Sequence, residues 1–171
     1  MRTLLTFLFV STFFTIFLSA PLSSSAASTF DVNNGALSTS TIVTLTNHDR
    51  SDAGLLAMHY NETLGLAAQM KANDMANKGY FSHVSPSGEK PWYWLSQVGY
   101  KFIYAGENLA ISFSNSDSLE HAWMNSPEHR KNILSKNYNE IGIGIAFGTY
   151  QGRPTTFVVE LFGERNSTST K

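Results

Sequence analysis

Residues 141–147 read Ile-Gly-Ile-Gly-Ile-Ala-Phe, large apolar side chains alternating with the smallest ones. A period of two belongs to a strand, because a helix would spread the same isoleucines around its circumference. Thr155–Phe162 (TTFVVELF) reads as a second strand. The intervening Gly148-Thr149-Tyr150-Gln151-Gly152-Arg153-Pro154 has the residues of a hairpin loop. Phe102-Ile103-Tyr104 adds a short third strand. An antiparallel sheet of this kind must be covered, and the segments before it have the pattern of helices.

Thr41–Arg50 carries Ile42, Val43 and Leu45 and reads as a short helix ending before Gly54. Asn61 can cap a longer helix that runs to Lys78, with Leu64, Ala68 and Met75 on one side and Gly79 as its stop. Pro91 opens a helix through Trp92, Trp94, Leu95 and Val98, closed by Gly99. Ser116 or Asp117 can cap a helix bearing Leu119, Ala122 and Trp123. Ser126-Pro127-Glu128 starts another, with a capping hydroxyl, proline at the first position and an acid at the positive end. The expected class is α+β, helices flanking a small antiparallel sheet.

Composition sets outer limits. In 171 residues, 42% hydrophobic and 13% aromatic content suffices for one buried core and argues against disorder. A net charge of -1, with no block of like charge, removes the electrostatic case for nucleic acid as partner. The chain has no cysteine, which excludes disulfides, thiolate metal sites and a thiol nucleophile. Arg2 followed by the apolar run Leu4–Ala20 and the small-residue stretch Ser23–Ala27 reads as a secretory signal, cleaved near Ala26 or Ala27. The expected organisation is a signal over residues 1–27, a polar leader over 28–40, one domain over 41–164 and a polar tail over 165–171. The expected location is extracellular, with no stable membrane insertion once the signal is removed.

Two histidines stand in distinctive settings, His83 after Gly79-Tyr80-Phe81-Ser82 and His129 on the helix after Ser126-Pro127. Glu107, in Ala105-Gly106-Glu107-Asn108-Leu109-Ala110, is a carboxylate in apolar surroundings, where it must be hydrogen-bonded, paired or bound to a cation. Taken residue by residue, each has a structural and a ligand-binding reading. The aromatic segment Tyr80, Phe81, Trp92, Tyr93, Trp94, Tyr100, Phe102 and Tyr104 likewise reads as core or as an apolar or sugar-stacking groove. Arg130 and Lys131 read as solvent-facing and Asn132 as a structural hydrogen-bonding residue.

The order of four phrases goes further: Gly79–His83, then Gly106–Ala110, then Trp123–Leu134 (WMNSPEHRKNIL), then Ile141–Gly144. Together they resemble the CAP superfamily of cysteine-rich secretory, antigen 5 and pathogenesis-related 1 proteins, or SCP domains, in its cysteine-free bacterial branch. The resemblance implies an α-β-α sandwich with an open cleft, in which His83 and His129 match the two cleft histidines and Glu107 the acid of the Gly-Glu-Asn phrase. Eukaryotic members often carry a Glu shortly after the tryptophan matching Trp123; here Ser126 stands there, and Glu128 adjoins His129 instead. Ser126, Glu128 and Asn108 are the further residues expected to border the cleft.

Two imidazoles and a carboxylate can hold a divalent metal, zinc first, and leave a position open. The expectation is a monomeric, non-catalytic extracellular module that binds a metal, a small or lipid ligand, or a protein. The alternative is a metal-assisted hydrolase acting on peptide or cell-envelope material. A third possibility is a partner-binding domain whose cleft groups satisfy only one another.

Overall fold

The computed structural model describes residues 36–165; the expected signal, most of the leader and the tail beyond Arg165 lie outside them. The elements follow in the order α1 (Thr39–Asp52), β1 (His59–Tyr60), α2 (Glu62–Lys78), α3 (Trp92–Gln97), β2 (Phe102–Ile111), α4 (Ser116–Asn125), α5 (Pro127–Ile133), β3 (Glu140–Tyr150) and β4 (Arg153–Arg165). The strands form one sheet in the order β1-β3-β4-β2. All neighbours are antiparallel except β1, a two-residue strand that pairs parallel with β3. The class is α+β, as expected, with helices on both faces.

Strand periodicity divides the core in two. Phe157, Val159 and Leu161 of β4 point toward α2 and α3, packing with Leu64, Ala68, Met75 and Leu95. Val158 and Phe162 point the other way, with Ile141 and Ile143, against Ile42, Leu119, Trp123 and Ile133 of α1, α4 and α5. The alternating glycines of β3 have a steric purpose. A Cβ on Gly142 would collide with the Leu64–Gly65 peptide of α2, and one on Gly144 with the Ala68–Gln69 peptide. Helix and sheet therefore approach backbone to backbone, and Gln69 locks the contact by exchanging two hydrogen bonds with the Ile145 backbone (2.8 and 3.1 Å).

Local signals behave as their chemistry requires. The Asn61 side chain caps α2 by accepting from the Leu64 amide at 3.0 Å, and Gly79 closes it in the left-handed conformation (φ 65°). The cap of α4 is Asn115, one residue before the expected Ser116 or Asp117, because its carbonyl oxygen reaches the Ser118 amide at 2.8 Å. Ser126 begins α5 in an extended conformation before Pro127, without a side-chain cap bond. The hairpin loop is tighter than its composition implied. Only Gln151 and Gly152 turn, both at positive φ (50° and 77°), so β3 and β4 run further than expected. The short third strand is in fact ten residues long, since Ala105–Ile111 continues the pairing with β4 past the expected Tyr104 end.

Candidate imidazole–carboxylate cleft

β2 is an edge strand, and its pleat presents Glu107 and Asn108 on opposite faces. Glu107 points toward the α2 layer. Its side chain is only 2% exposed, and Oε1 lies 2.6 Å from His83 Nδ1. His83 sits on the loop that leaves α2 at Gly79, with its side chain 56% exposed. The carboxylate partner raises the pKa of His83, against smaller opposing effects of burial and of the Lys71 charge. The imidazole is thus held toward its charged form.

A residue that the sequence reading passed over fixes this loop. Lys71 is fully buried in the middle of α2. Its ammonium donates to the carbonyls of Ser82 (2.9 Å) and His83 (3.1 Å) and to the Tyr80 hydroxyl (3.2 Å), and lies 5.0 Å from the Tyr80 ring centroid. Tyr80 donates in turn to Asp74 at 2.6 Å, and Asp74 pairs with Lys78 at 2.7 Å. Burial lowers the Lys71 pKa while Glu107, Asp74 and Glu89 act in the opposite sense. Lysine on the inner face of an amphipathic helix is the signal that could have found it, since a buried ammonium must be matched by acceptors.

His129 comes from α5, the opposite layer, with its ring centroid 6.4 Å from that of Trp123. Its pKa is lowered, first by burial and then by the charge of His83. The two imidazoles are therefore biased in opposite directions: His83 toward the cation, His129 toward the neutral ring. Among the described residues, two buried polar atoms here lack a partner, Glu107 Oε2 and His129 Nδ1. Ser126 is half-buried and Glu128 exposed beside His129. Asn108 is fully buried behind β2, donating to the His129 carbonyl (3.3 Å) and accepting from Asn132 (2.9 Å). Asn132 makes the structural bonds expected of it, the second to the Glu107 carbonyl at 3.2 Å. Arg130 and Lys131 face solvent.

The donor chemistry fits a borderline divalent ion in part. Two imidazoles are present, and a carboxylate that takes His83 Nδ1 leaves Nε2 for an ion, the arrangement that orients metal-binding histidines. Among the described residues no three His, Asp or Glu side chains are gathered closely enough to hold one. The aromatic segment is part core and part surface. Trp94 and Tyr100 are buried, whereas Trp92, Tyr93, Phe102 and Tyr104 remain more than a third exposed. A cavity of about 730 Å³, lined by Arg50, Leu56, His59, Lys136 and Tyr138 among others, shares no residue with the cleft.

The model of the Cysteine-rich secretory protein family, CAP, matches residues 43–162, well over half of the chain. The protein belongs to this family. It is 41% identical over 103 residues to the protein YkwD of Bacillus subtilis (strain 168), and 32% over 104 residues to the membrane protein YlbC of the same organism. Those matches cover 60% and 61% of this chain but only 40% and 30% of the relatives, so it spans less than half of their length. Among solved structures, an extracellular SCP-domain protein from Bacillus anthracis str. Ames superposes with a TM-score of 0.62 at 30% identity, over 75% of this chain and 40% of that one. An outer surface protein of Borrelia burgdorferi shares the CAP fold at 22% identity, with a TM-score of 0.63 over 74% of this chain and 92% of that one. No helix among the described residues is long and apolar enough to cross a membrane.

Proposed function

We propose that this CAP protein is exported and acts as an extracellular binding module, which takes a divalent metal, zinc first, or a small ligand at the His83 and His129 imidazoles, with Glu107 behind His83. The observation that carries this reading is the pair of unpartnered buried atoms, Glu107 Oε2 and His129 Nδ1, beside a half-exposed imidazole. Buried polar atoms without partners are rare in folded proteins and mark places where a ligand or ordered water completes the structure. Export is supported by the signal-like N-terminus and by the Bacillus anthracis relative, itself an extracellular protein. The exposed aromatics of α3 and β2 offer an apolar ligand a surface of its own. Glu107 serves the metal best from behind, fixing the His83 ring while Nε2 faces the ion.

The test is calorimetric titration of the protein with zinc, alongside His83→Ala and His129→Ala variants. One-to-one binding that is lost in both variants, and weakens below neutral pH as the proton competes for His83, is the expected result. Absence of binding by the folded wild type would refute the metal reading and leave the small ligand to be sought by other means.

A further inference from the structure

The face of the sheet that α5 and His129 cover buries two carboxyl groups against each other. Glu120 of α4 is 4% exposed and Glu160 of β4 is fully buried. Both meet one hydroxyl, that of Thr46 on α1, whose Oγ1 lies 3.0 Å from Glu160 Oε1 and 3.2 and 3.3 Å from the two oxygens of Glu120. No arginine or lysine is paired with either acid among the described residues. The remaining neighbour on α1, Asp49, adds negative charge, and His48, Asp117 and His121 line a small cavity outside Glu120. From β2, Asn108 donates to Glu160 Oε2 at 2.9 Å.

Protons can be counted in this set. The Thr46 hydroxyl has one hydrogen and can satisfy one carboxylate only. With both acids ionised, Asn108 could serve Glu160 and Thr46 could serve Glu120, but two like charges would then face each other in a low-dielectric interior with no cation between them. A proton on the pair removes the conflict. The Glu120 acid then donates to Thr46 Oγ1, Thr46 donates to Glu160, and Asn108 completes Glu160 from the far side. We infer that Glu120, Thr46 and Glu160 hold at least one proton through neutral pH and act as a positioning unit for the cleft. Burial pushes both acids up, and the neighbouring carboxyl adds to this at Glu120; the bonds from Asn108 and Thr46 oppose it at Glu160. The route to the cleft is Asn108, which joins Glu160 to the His129 carbonyl and, through Asn132, to the Glu107 carbonyl. Loss of the proton sets the acids against each other, separates α4 from the sheet and releases Asn108. This unit needs no bound metal or ligand, so it stands or falls apart from the binding reading.

The test compares wild type with Glu120→Gln, which keeps the shape and supplies a permanent donor, and with Glu160→Gln in case the first does not fold. In wild type, infrared difference spectra at neutral pH should contain a protonated-carboxyl band that disappears on alkalinisation and is absent from Glu120→Gln. Each carboxyl proton retained by the native state alone raises the unfolding constant by about tenfold per pH unit above the ordinary Glu pKa, until the pair ionises. That slope should be lower in the variant. Backbone amide signals of residues 129–133 should shift at the alkaline transition in wild type and stay fixed in Glu120→Gln. An unchanged pH slope in a folded variant, or absence of the carboxyl band in wild type, overturns the shared proton. Equal alkaline shifts of residues 129–133 in both proteins overturn the coupling to the cleft.

Discussion

Glu107→Gln tests the electrostatics of the cleft with the least disturbance of shape. In the wild type, Glu107 Oε1 contacts His83 Nδ1 at 2.6 Å and is the main reason the imidazole holds its proton above the usual histidine range. An amide oxygen can still accept from Nδ1 but brings no charge. Burial and Lys71, both of which lower the His83 pKa, then act unopposed, and the His83 midpoint should fall below its ordinary value. A charged hydrogen bond contributes about 1.5–3 kcal/mol when well sheltered. The His83 side chain is 56% exposed, so screening reduces the expected loss to about 1 kcal/mol. The sign follows from linkage. A folded-state pKa raised above the unfolded value stabilises below the unfolded value, near 6.5, and the gain disappears as pH rises through the folded pKa. Urea unfolding should show the largest gap between wild type and Glu107→Gln near pH 5–6 and a smaller one near pH 9. Histidine NMR titration should show the His83 midpoint falling and that of His129 rising, because a neutral His83 no longer opposes charge on His129. A His83 midpoint that does not move would sink the pairing.

Two further outcomes concern what supports the cleft. Lys71→Met removes a buried ammonium from three neutral acceptors and should cost about 1–3 kcal/mol in chemical unfolding; it should also speed proteolysis within residues 80–84, and an unchanged cleavage pattern would count against Lys71 as the tether of that loop. Gly144→Ala sets a Cβ against the Ala68–Gln69 peptide, which cannot step aside as a side chain would. Thermal unfolding should register a loss of about 1–3 kcal/mol, and a neutral result would refute the close approach.

The helices were legible because their caps and stops are local chemistry: Asn61 and Gly79 act through bonds within a turn of themselves, and Pro127 through the fixed φ of its ring. β3 and β4 were legible by period, but their length was not. Gly148 and Pro154 look like loop residues, and only pairing across the hairpin shows that they lie within strands. β2 was underestimated for a similar reason. Gly106–Asn108 has no strand propensity of its own and extends because β4 supplies a complete ladder. At the site, His83, Glu107 and His129 could be named from the order of the phrases, whereas Lys71, Glu120 and Glu160 could not. A lysine or glutamate in a helix or strand looks solvent-facing until the opposite layer is placed. The inward stripe of α1, Ile42, Thr46 and Arg50, shows the same difficulty, since two of its three buried residues are polar.

The pleat of β2 gives these scattered polar residues one logic. Consecutive residues of a strand face opposite sides, so Glu107 belongs to the α2 layer with His83 and Lys71, and Asn108 to the α1–α4–α5 layer with Glu160 and His129. An acid on one side and an amide on the other join two polar networks across one peptide bond, at the edge of the sheet where both histidines are placed. Glu107 holds its imidazole charged against burial and the Lys71 cation behind it; the network behind Asn108 contains carboxyls and meets His129 at the backbone carbonyl. The two imidazoles differ because one has the Glu107 carboxylate at its ring nitrogen, while the other has burial and the charge of His83. One ring is biased toward a donor and the other toward an acceptor, on either side of a single strand.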